Sequence, residues 1–440
     1  MKLLKVDTVK EVKDKLKIYF DAEGFESPSE SVPLRHAVHR YLAEEICSDT
    51  DIPQFTRSVV DGYAVVAKDT FGTGESSPVF LDVVGTVEMG KACCIKLKPG
   101  QAVYVPTGGM LPEGSDAVVM IEYIEALDEN TIAVYKPAAP NSGLMNQGDD
   151  FKKDQILFRR GHRITVKDIG MLAAIGKDQI NVFKRPRVSI LSTGDEIIDI
   201  TEIPKPGEVR DINSYTIAAF AEATGAMIGF IEKVPDVDHL LRNALEAALA
   251  ESDIVLLSGG SSAGNKDLTA EIVDSIGKPG VITHGIAMKP GKPTIIGIIE
   301  RESLEIDKKK SETGFMQNKL VVGLPGHPMA AIVAYDVIVN DFMRKYCFHN
   351  EEEPIRLTAR ISENIHAGEG RETYQLVSLR RSDSEDNKGN NDELEWIAEP
   401  IHAKSGSISQ LMMADGYVKI SSLSEGVKVN SSVEVTLIGR

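Results

Sequence analysis

From Arg187 onward, short apolar segments alternate with amphipathic helical segments, and this alternation restricts the possible folds more than any other feature. VSILS, MIGFIEKV, DIVLLS and VVGLPG have the length and branched residues of buried strands, whereas DVDHLLRNALEAALAES and HPMAAIVAYDVIVNDFM have apolar residues at helical spacing. The alternation predicts a three-layer α/β domain with a parallel-rich sheet. Ligands of such sheets bind beyond the carboxyl ends of the strands, so we expect the chemistry in the turns there.

The rest of the chain is divided by changes in pattern: helical spacing in the first segment, and short β runs separated by Gly and Pro elsewhere. We expect a multidomain α/β and β protein. The patterns divide it into a helical segment at 1–50, a small β domain at 51–140, a segment of mixed structure at 141–184, the α/β domain at 185–348, and a small all-β C-terminal domain at 349–440.

Three local patterns predict helix positions. The near-helical spacing of Leu34, Val38, Leu42 and Ile46 predicts a helix after the first one. Thr165 is predicted to cap the helix VKDIGMLAAIG, which should stop at Gly176. Asn213 is predicted to cap the helix SYTIAAFAEATG.

Charge and composition limit the classes of partner. The 440 residues include 49 Lys and Arg against 66 Asp and Glu, a net charge of −17, which argues against general binding to nucleic acid or anionic membranes. An anionic ligand must therefore be bound by a local group of cations or backbone N–H groups. The 42% hydrophobic fraction excludes wholesale disorder.

Cysteine usage and the N-terminus indicate the compartment. Cys47, Cys93, Cys94 and Cys347 are too few and too unevenly spaced for a disulfide framework or a zinc site. The first 20 residues distribute charges among apolar residues, so no signal peptide is expected, and no stretch is long enough to span a membrane. We expect a soluble, cytoplasmic protein with reduced thiols.

Two glycine-rich turns follow predicted strands. LSTGDE (191–196) and LLSGGSSAGNKD (256–267) expose successive N–H groups and hydroxyls, which suit a phosphate or another oxyanion. Neither contains a P-loop or a GxGxxG sequence. One such turn is usually only a tight turn, but two in one α/β domain indicate a binding crevice. The candidate ligand contacts are Ser192, Thr193, Gly259, Gly260, Ser261 and Ser262.

The segment MKPGKP (288–293) is stiff and basic. Pro290 and Pro293 restrict the backbone while Gly291 permits a tight turn. Lys289 and Lys292 are thus carried on a segment that loses little entropy on binding an anion. The alternative is a surface turn with two solvated lysines, and the nearby GLPGHP turn makes that alternative weaker.

Several carboxylates stand near these turns. Asp61, Asp150, Glu196, Asp236 and Asp267 are candidates, since carboxylates beside oxyanion loops commonly hold Mg²⁺ against phosphate oxygens. Each alone is more typical of a turn or a helix cap. The histidines lack metal-ligand spacing, and no GxSxG or Ser/His/Asp signature is present.

These strings together resemble one family over nearly the whole chain: the molybdopterin molybdenumtransferases, which include MoeA-type proteins and the gephyrin E domain. The matching strings, in the family's order, are SVVDGYAV (58–65), PTGGMLPEGSDAVV (106–119), QGDD (147–150), LSTGDE (191–196), SGGSSAGNKD (258–267), MKPGKP (288–293) and GLPGHP (323–328). The family's four-domain form agrees with the predicted division of the chain. It implies that residues 1–50 and 141–184 form one elongated helical/β N-terminal domain, that the β domain at 51–140 is inserted in it, and that the domain at 349–440 is β-barrel-like.

The resemblance implies insertion of molybdate into adenylylated molybdopterin, with Mg²⁺-dependent release of AMP. It implies that Glu196, Asp236 and Asp267 line the crevice and hold Mg²⁺, and that Lys289 and Lys292 contact molybdate or phosphate. It further implies a homodimer with the site at the subunit interface. By the same resemblance, Asp61, Thr107 and Asp150 match family positions that reach the site from the partner subunit. Arg371 and Ser407 fall near family positions that contact an anion.

Three alternatives stay open at this point. Tungstate differs little from molybdate in size and charge, so the chain could be a tungstate-preferring paralogue. The same α/β fold also serves adenylylation of molybdopterin, and a separate molybdopterin adenylyltransferase could instead supply the substrate. A non-catalytic, gephyrin-like scaffold is the third alternative, although nothing in the sequence is specific for a peptide.

Overall fold

The structure is a computed structural model of the chain that describes residues 6–21, 27–259, 265–300, 318–368, 370–382, 396–402 and 408–439, with the backbone alone for 265–267. Its contacts divide it into two units, each described separately below. The first unit contains Met1–Glu44, Arg160–Ile169 and Asp178–Arg440, and the second contains Glu45–Arg159 and Gly170–Lys177. The boundaries of the four expected domains stay a prediction.

The first helix, α1 (Val9–Phe20), forms where the pattern predicts it. Thr8 and Glu11 make a capping box, in which the Glu11 N–H donates to the Thr8 hydroxyl at 3.2 Å and the Thr8 N–H donates to the Glu11 carboxylate at 2.7 Å. The apolar face of Val9, Val12, Leu16 and Phe20 is buried in the main core.

The helix predicted from Leu34 to Ile46 is wrong. The chain forms β1 (Ser29–Pro33), a single 3₁₀ turn at Leu34–His36, and β2 (Ile46–Cys47). Between them, the Leu42 N–H donates to the His162 carbonyl at 3.0 Å and the Ala43 N–H donates to the Asn181 carbonyl at 3.0 Å. These long-range backbone hydrogen bonds replace the local ones that a helix needs, so the apolar spacing reflects burial against distant strands.

The second unit is mostly β, as the pattern predicts. Its short strands include β3 (Arg57–Ser58), β4 (Gly62–Val65), β5 (Val79–Thr86), β6 (Gln101–Val105), β7 (Ala117–Met120), β8 (Ile124–Ala126), β9 (Thr131–Val134), β10 (Leu144–Met145) and β11 (Ile156–Phe158). Six of them form a sheet in the order β7-β4-β6-β5-β9-β8, while β10 pairs with β3 and β11 pairs with β2.

Helix α2 (Val166–Ala174) has the predicted ends. Thr165 precedes it, although its hydroxyl donates to the Asp168 carboxylate at 2.9 Å instead of accepting from the backbone. At the other end, Gly176 has a left-handed φ of 74°, and the Lys177 N–H donates to the Leu172 carbonyl at 3.0 Å. Gly176 therefore ends the helix in a Schellman arrangement.

The α/β part confirms the predicted class. Its elements are β12 (Gln179–Phe183), which pairs with β1, then β13 (Arg187–Thr193), β14 (Ile197–Ile198), β15 (Val209–Arg210), α3 (Asn213–Thr224), β16 (Met227–Val234), α4 (Asp238–Glu251), β17 (Ile254–Gly259), α5 (Asn265–Ile276), β18 (Pro279–His284), β19 (Met288–Lys289), β20 (Ile295–Glu300), β21 (Asn318–Leu324) and α6 (Pro328–Ala334). The helix continues through π-helical turns at Tyr335–Asn340 and Met343–Cys347.

The main sheet has the order β16-β13-β17-β21-β20-β18. The strands β16, β13, β17 and β21 are parallel, whereas β20 and β18 add an antiparallel pair at one edge. Successive residues of β17 face opposite sides: Ile254 and Leu256 pack in the core that contains α3 and α6, and Val255 and Leu257 pack in the core that contains α4. Helices thus cover both faces, which explains the continuous apolar strands.

The C-terminal region forms a closed β-barrel, as predicted. Its elements are β22 (Arg356–Ile361), β23 (Ile365–His366), β24 (Glu372–Arg381), β25 (Trp396–Pro400), α7 (Ile408–Met412), β26 (Gly416–Ile420), β27 (Gly426–Val427) and β28 (Ser432–Leu437). Neighbours pair in the order β24-β25-β22-β28-β26, and β26 pairs with β24 to close the ring. Within the described residues, no helix has the length and apolar content needed to cross a bilayer.

Candidate active site at the carboxyl edge of the sheet

Two of the predicted turns begin side by side at the carboxyl edge of the main sheet. Ser192 and Thr193, which end β13, pair with Ser258 and Gly259, which end β17. Gly259 has a φ of 121°, and a Cβ there would lie 1.8 Å from the Thr193 carbonyl oxygen, so only glycine permits this close approach. The following residues, Gly260, Ser261 and Ser262, lie outside the described residues.

Two of the predicted carboxylates leave the same edge. Glu196 is exposed and follows β13, and its carbonyl accepts the Val209 N–H at 2.8 Å. Asp236 is half-buried and lies two residues beyond Val234, the residue of β16 that pairs with Thr193. Asp267 lies in the first turn of α5, but its side chain is outside the described part of the chain.

The donor set at this edge suits a magnesium ion bound together with a phosphate. In the described residues, no three His, Cys, Asp or Glu side chains form a preformed metal site. Mg²⁺ usually retains water and binds through one or two carboxylates plus substrate phosphates. Glu196 and Asp236 therefore fit an ion that is completed by the ligand, rather than one held by the protein alone.

The basic turn 288–293 is fixed by hydrogen bonds. The Ile286 N–H donates to the Lys292 carbonyl at 2.9 Å, and the Thr294 hydroxyl donates to the Gly291 carbonyl at 2.7 Å. The Lys289–Pro290 peptide bond is cis, and Pro290 and Pro293 are half-buried. Lys289 and Lys292 are both exposed. Hydrogen bonds thus anchor the turn at Gly291 and Lys292, and the stiffness that the sequence predicts for it stays a prediction.

Pairing between β19 and the barrel brings a third cation to this turn. Lys289 is the parallel-strand partner of Thr373, and the exposed Arg371 lies two residues before Thr373. Among the described residues, Lys289, Lys292 and Arg371 form no ion pair. Ser407, the other position expected in the barrel, is outside the described residues.

The adjacent carboxylate does not neutralise these cations. Glu372 accepts the Tyr374 hydroxyl at 2.6 Å and pairs with Lys419 at 3.1 Å. Burial, followed by the hydrogen bond to Glu372, raises the pKa of Tyr374 above its ordinary value, so the phenol stays protonated. In the part of the chain that the structure describes, this surface therefore has three exposed cations without an ion pair.

The second unit brings two further predicted residues together. The Thr107 N–H donates to the Asp61 carboxylate at 2.9 Å, and both residues are exposed. Gly62, the next residue, must be glycine because a Cβ would lie 2.0 Å from the Val119 carbonyl oxygen. Asp150 is exposed in a different turn of this unit, where its N–H donates to the Ile52 carbonyl at 3.0 Å.

The predicted cap at Asn213 is wrong, and the structure gives this residue another contact. Helix α3 begins at Asn213, and the Ser214 N–H is capped by Asp211 at 3.1 Å. The Asn213 amide instead donates to the Ser258 hydroxyl at 2.9 Å and to the Gly326 carbonyl at 2.8 Å. Asp is a preferred cap residue, so the position of Asp211 just before the helix could have predicted this cap from the sequence. No local pattern marks the contact of Asn213.

A large cavity lies elsewhere in the first unit. It has a volume of about 980 Å³ between α1, the helix that follows α6, and the barrel, and none of the predicted site residues lines it. On its wall, Asp336 accepts the Tyr417 hydroxyl at 3.0 Å and the Asn340 amide at 2.7 Å. Burial raises the pKa of Asp336 despite these hydrogen bonds.

The fold and the edge define a multidomain α/β protein whose polar turns and cations gather at the carboxyl ends of a parallel sheet. Three family models cover most of the chain: the MoeA N-terminal region (domain I and II) matches residues 5–176, the probable molybdopterin binding domain matches 189–345, and the MoeA C-terminal region (domain IV) matches 358–438. The chain belongs to the molybdopterin molybdenumtransferase, or MoeA, family and is a transferase.

Relatives support this assignment over nearly full length. A Methanocaldococcus jannaschii protein named for molybdopterin biosynthesis is 30% identical over 434 residues, which cover 97% of this chain and 95% of that protein. A molybdopterin molybdenumtransferase of Nostoc is 31% identical over 356 residues, 81% of this chain and 78% of the relative. The crystal structure of a molybdopterin biosynthesis MoeA protein from Pyrococcus horikoshii OT3 aligns with a TM-score of 0.78 and 28% identity, over 98% of this chain and 100% of that one. The resemblance inferred from the motifs is confirmed.

Proposed function

We propose that the enzyme inserts molybdate into adenylylated molybdopterin and releases AMP in a Mg²⁺-dependent step, which yields molybdenum cofactor. The observation that carries this proposal is the group of three exposed cations, Lys289, Lys292 and Arg371, on and beside the turn that leads into β20, whose first residue Ile295 pairs with Gly323 near the carboxyl end of β21. The names of the relatives supply the reaction class. The cations and hydrogen-bond donors at the carboxyl edge are suited to binding the anionic reactants of that reaction.

The reactants are anions, and the edge offers short-range attraction to them. Lys289, Lys292 and Arg371 would bind the molybdate dianion or a phosphate by charge-assisted hydrogen bonds. Ser192, Thr193 and Gly259 would donate hydroxyl or backbone hydrogens to the phosphoanhydride. Because the basic turn is already fixed, little conformational entropy is lost when it binds.

Release of AMP requires hydrolysis of the phosphoanhydride. Mg²⁺ would supply charge neutralisation at the phosphate oxygens. Glu196 and Asp236, with Asp267 as a third candidate, would hold the ion at the strand ends. Molybdate would be bound close to the dithiolene sulfurs by the basic turn, so that the released pterin leaves with its metal.

The exposed residues of the second unit suggest a homodimer. Asp61, Thr107 and Asp150 are all exposed to solvent. Beside Asp61, the apolar side chains of Val59 and Ile121 are 50% and 46% exposed. Exposed apolar side chains bordered by a polar residue are typical of subunit interfaces, where an apolar centre is surrounded by a polar rim. We propose that these residues complete the site of the partner subunit, and that a separate molybdopterin adenylyltransferase supplies the substrate.

The test is a reconstituted reaction. Purified protein is incubated with adenylylated molybdopterin, Mg²⁺ and molybdate, while AMP is measured by chromatography. The expected result is AMP release together with cofactor that activates an apo-molybdoenzyme, and neither product when molybdate and Mg²⁺ are both omitted. Absence of AMP release in the complete mixture would contradict the proposed function.

A further inference from the structure

One short segment connects three of the motifs at the carboxyl edge. Strand β15 pairs in parallel with β14, with Ile197 opposite Val209 and Ile198 opposite Arg210. The Val209 N–H donates to the Glu196 carbonyl at 2.8 Å, and the Asp211 N–H donates to the Ile198 carbonyl at 3.0 Å. The segment 209–213 therefore fixes the backbone of the turn that carries Glu196, and then enters helix α3.

The side chain of Asn213, at the end of this segment, fixes the other two turns. Its Nδ2 donates to the Ser258 hydroxyl at 2.9 Å, directly before Gly259, and to the carbonyl of Gly326 at 2.8 Å, in the turn that leads into α6. A carboxamide nitrogen has two hydrogens, and both acceptors lie within hydrogen-bond distance. The Asn213 side chain thus links the ends of β17 and β21 by hydrogen bonds. The backbone of residues 209–213 bonds to the turn that follows β13.

We infer that Asn213 is a positioning residue for the reaction: it keeps the described ends of β17 and β21 in register with the turn after β13, so that the donor groups at these strand ends meet the phosphoanhydride together. This inference rests on the proposed function, because the ligand that the turns position is the proposed one. Asn213 itself does not need to contact the ligand. Its effect is transmitted through Ser258 and Gly326.

The isosteric change Asn213→Asp tests the donor role without removing volume. The Gly326 carbonyl can only accept, so a carboxylate oxygen in place of the amide nitrogen produces repulsion at that contact. The Ser258 hydroxyl can rotate and donate to the carboxylate, so one of the two links survives. Asn213→Ala removes both links and provides a second variant if the carboxylate prevents folding.

A matched control exists on the next helix. Asn243 is exposed on α4, so Asn243→Asp adds the same charge to the same domain without changing the turns. For both N213D and N213A, we expect KM for adenylylated molybdopterin to rise about tenfold while kcat changes by less than about threefold. For N243D we expect both constants to stay at the wild-type values.

A double-mutant cycle with Ser258→Ala separates positioning from general stability. If Asn213 acts through Ser258, the N213A/S258A double variant should have nearly the same KM as N213A alone, because the shared contact is already lost. If the fold-increases in KM of the two single variants multiply in the double variant, the two side chains act independently, and the inference is contradicted. A fall in Tm with KM unchanged would assign Asn213 a purely structural role.

Amide hydrogen exchange gives a readout that does not depend on activity. In N213A, exchange should become about tenfold faster in the peptides that contain Ser258–Gly259 and Gly326–His327, and stay unchanged in N243D. If the wild-type protein releases AMP but N213D matches N243D in KM, the positioning role is wrong and the proposed function stands. If the wild-type protein releases no AMP, the proposed function fails, and unchanged exchange in N213A would overturn the positioning role as well.

Discussion

Two polar regions of the first unit are built in opposite ways. At the cavity, two carboxylates have partners within the protein: Asp341 pairs with Lys13 and with Lys345, each at 3.1 Å, and the half-buried Asp336 accepts from Tyr417. At the carboxyl edge, Lys289 and Lys292 are exposed on a fixed turn and have no ion pair among the described residues. The two carboxylates named at the cavity are thus paired within the protein, whereas the two lysines at the edge have no ion pair among the described residues.

The proposed site and the large cavity thus lie in different parts of the first unit. The cavity of about 980 Å³ contains none of the residues that the motifs single out. The edge combines glycine-rich strand ends, carboxylates and cations in a chain whose net charge is −17. Because the overall field repels anions, recognition must come from short-range contacts of this kind.

The largest loss of activity is expected when a lysine at the carboxyl edge is replaced. Replacing Lys289 with Ala should lower kcat/KM for molybdate-dependent AMP release about a hundredfold, because an oriented charge at the reacting anion is lost. Its Tm should stay close to that of the wild-type protein, since the side chain is exposed. AMP assays and thermal unfolding measure the two quantities.

The control for this prediction is another lysine that precedes a cis-proline. Lys278 is exposed, and the Lys278–Pro279 bond is cis like Lys289–Pro290. Because β18 starts where β20 ends, opposite Ile299, Lys278 lies at the other edge of the sheet. Equal losses of activity in K278A and K289A, or a large fall in Tm with activity intact in K289A, would refute the special role of the basic turn.

A smaller effect is expected for the carboxylate beside β16. Asp236→Asn should lower the rate of AMP release about tenfold, because one charged oxygen ligand for Mg²⁺ is lost, and excess Mg²⁺ should restore part of it. The measurement is a Mg²⁺ titration of AMP release. Asp178→Asn, at an exposed position, serves as the control. A titration midpoint identical in wild type and D236N would remove Asp236 from the metal site.

The cavity should show the reverse behaviour: stability changes and activity does not. Tyr417→Phe removes the hydrogen bond to the half-buried Asp336 and should lower the free energy of unfolding by about 1–2 kcal/mol. AMP release should stay within about twofold of the wild-type rate. Urea unfolding and AMP assays check both, with Tyr215→Phe, 47% exposed on α3, as the control. Loss of activity without loss of stability would give the cavity a catalytic role.

The smallest effect is a pH dependence of stability that arises from Asp336. Burial raises the pKa of Asp336 in the folded state, so folding favours the protonated form. The resulting stabilisation is fully present below the unfolded-state pKa near 3.8 and is lost as the pH rises through the raised value. Relative to Asp336→Asn, the wild type should therefore lose stability as the pH rises over this window, measured by urea unfolding. Parallel pH profiles in the two proteins would contradict this assignment.

Much of the α/β fold follows from the sequence because strand and helix periods are local properties. The apolar strands and the cap at Gly176 are examples in which one short segment contains its own signal. The turns at strand ends are also predictable, since parallel strands place their carboxyl ends at one edge.

Other features depend on partners that are distant in the chain. The near-helical spacing of residues 34–46 is misleading because their N–H groups bond to carbonyls more than a hundred residues away, such as that of His162. The contacts of Asn213 and Asp336 could not be predicted from local pattern for the same reason. The acceptors of Asn213 are Ser258 and Gly326, and the donor to Asp336 is Tyr417 in the barrel. Local pattern thus predicts the turns but does not predict the side chains that hold the turns together.

The most direct test of the edge as the oxyanion site is AMP release titrated with molybdate and, separately, with tungstate. The account predicts saturable stimulation of wild-type AMP release, with a midpoint shifted to about tenfold higher oxyanion concentration or more in K289A and unshifted in K278A. The ratio of the two midpoints in the wild-type protein identifies the preferred metal. The same molybdate midpoint in wild type, K289A and K278A would contradict the account.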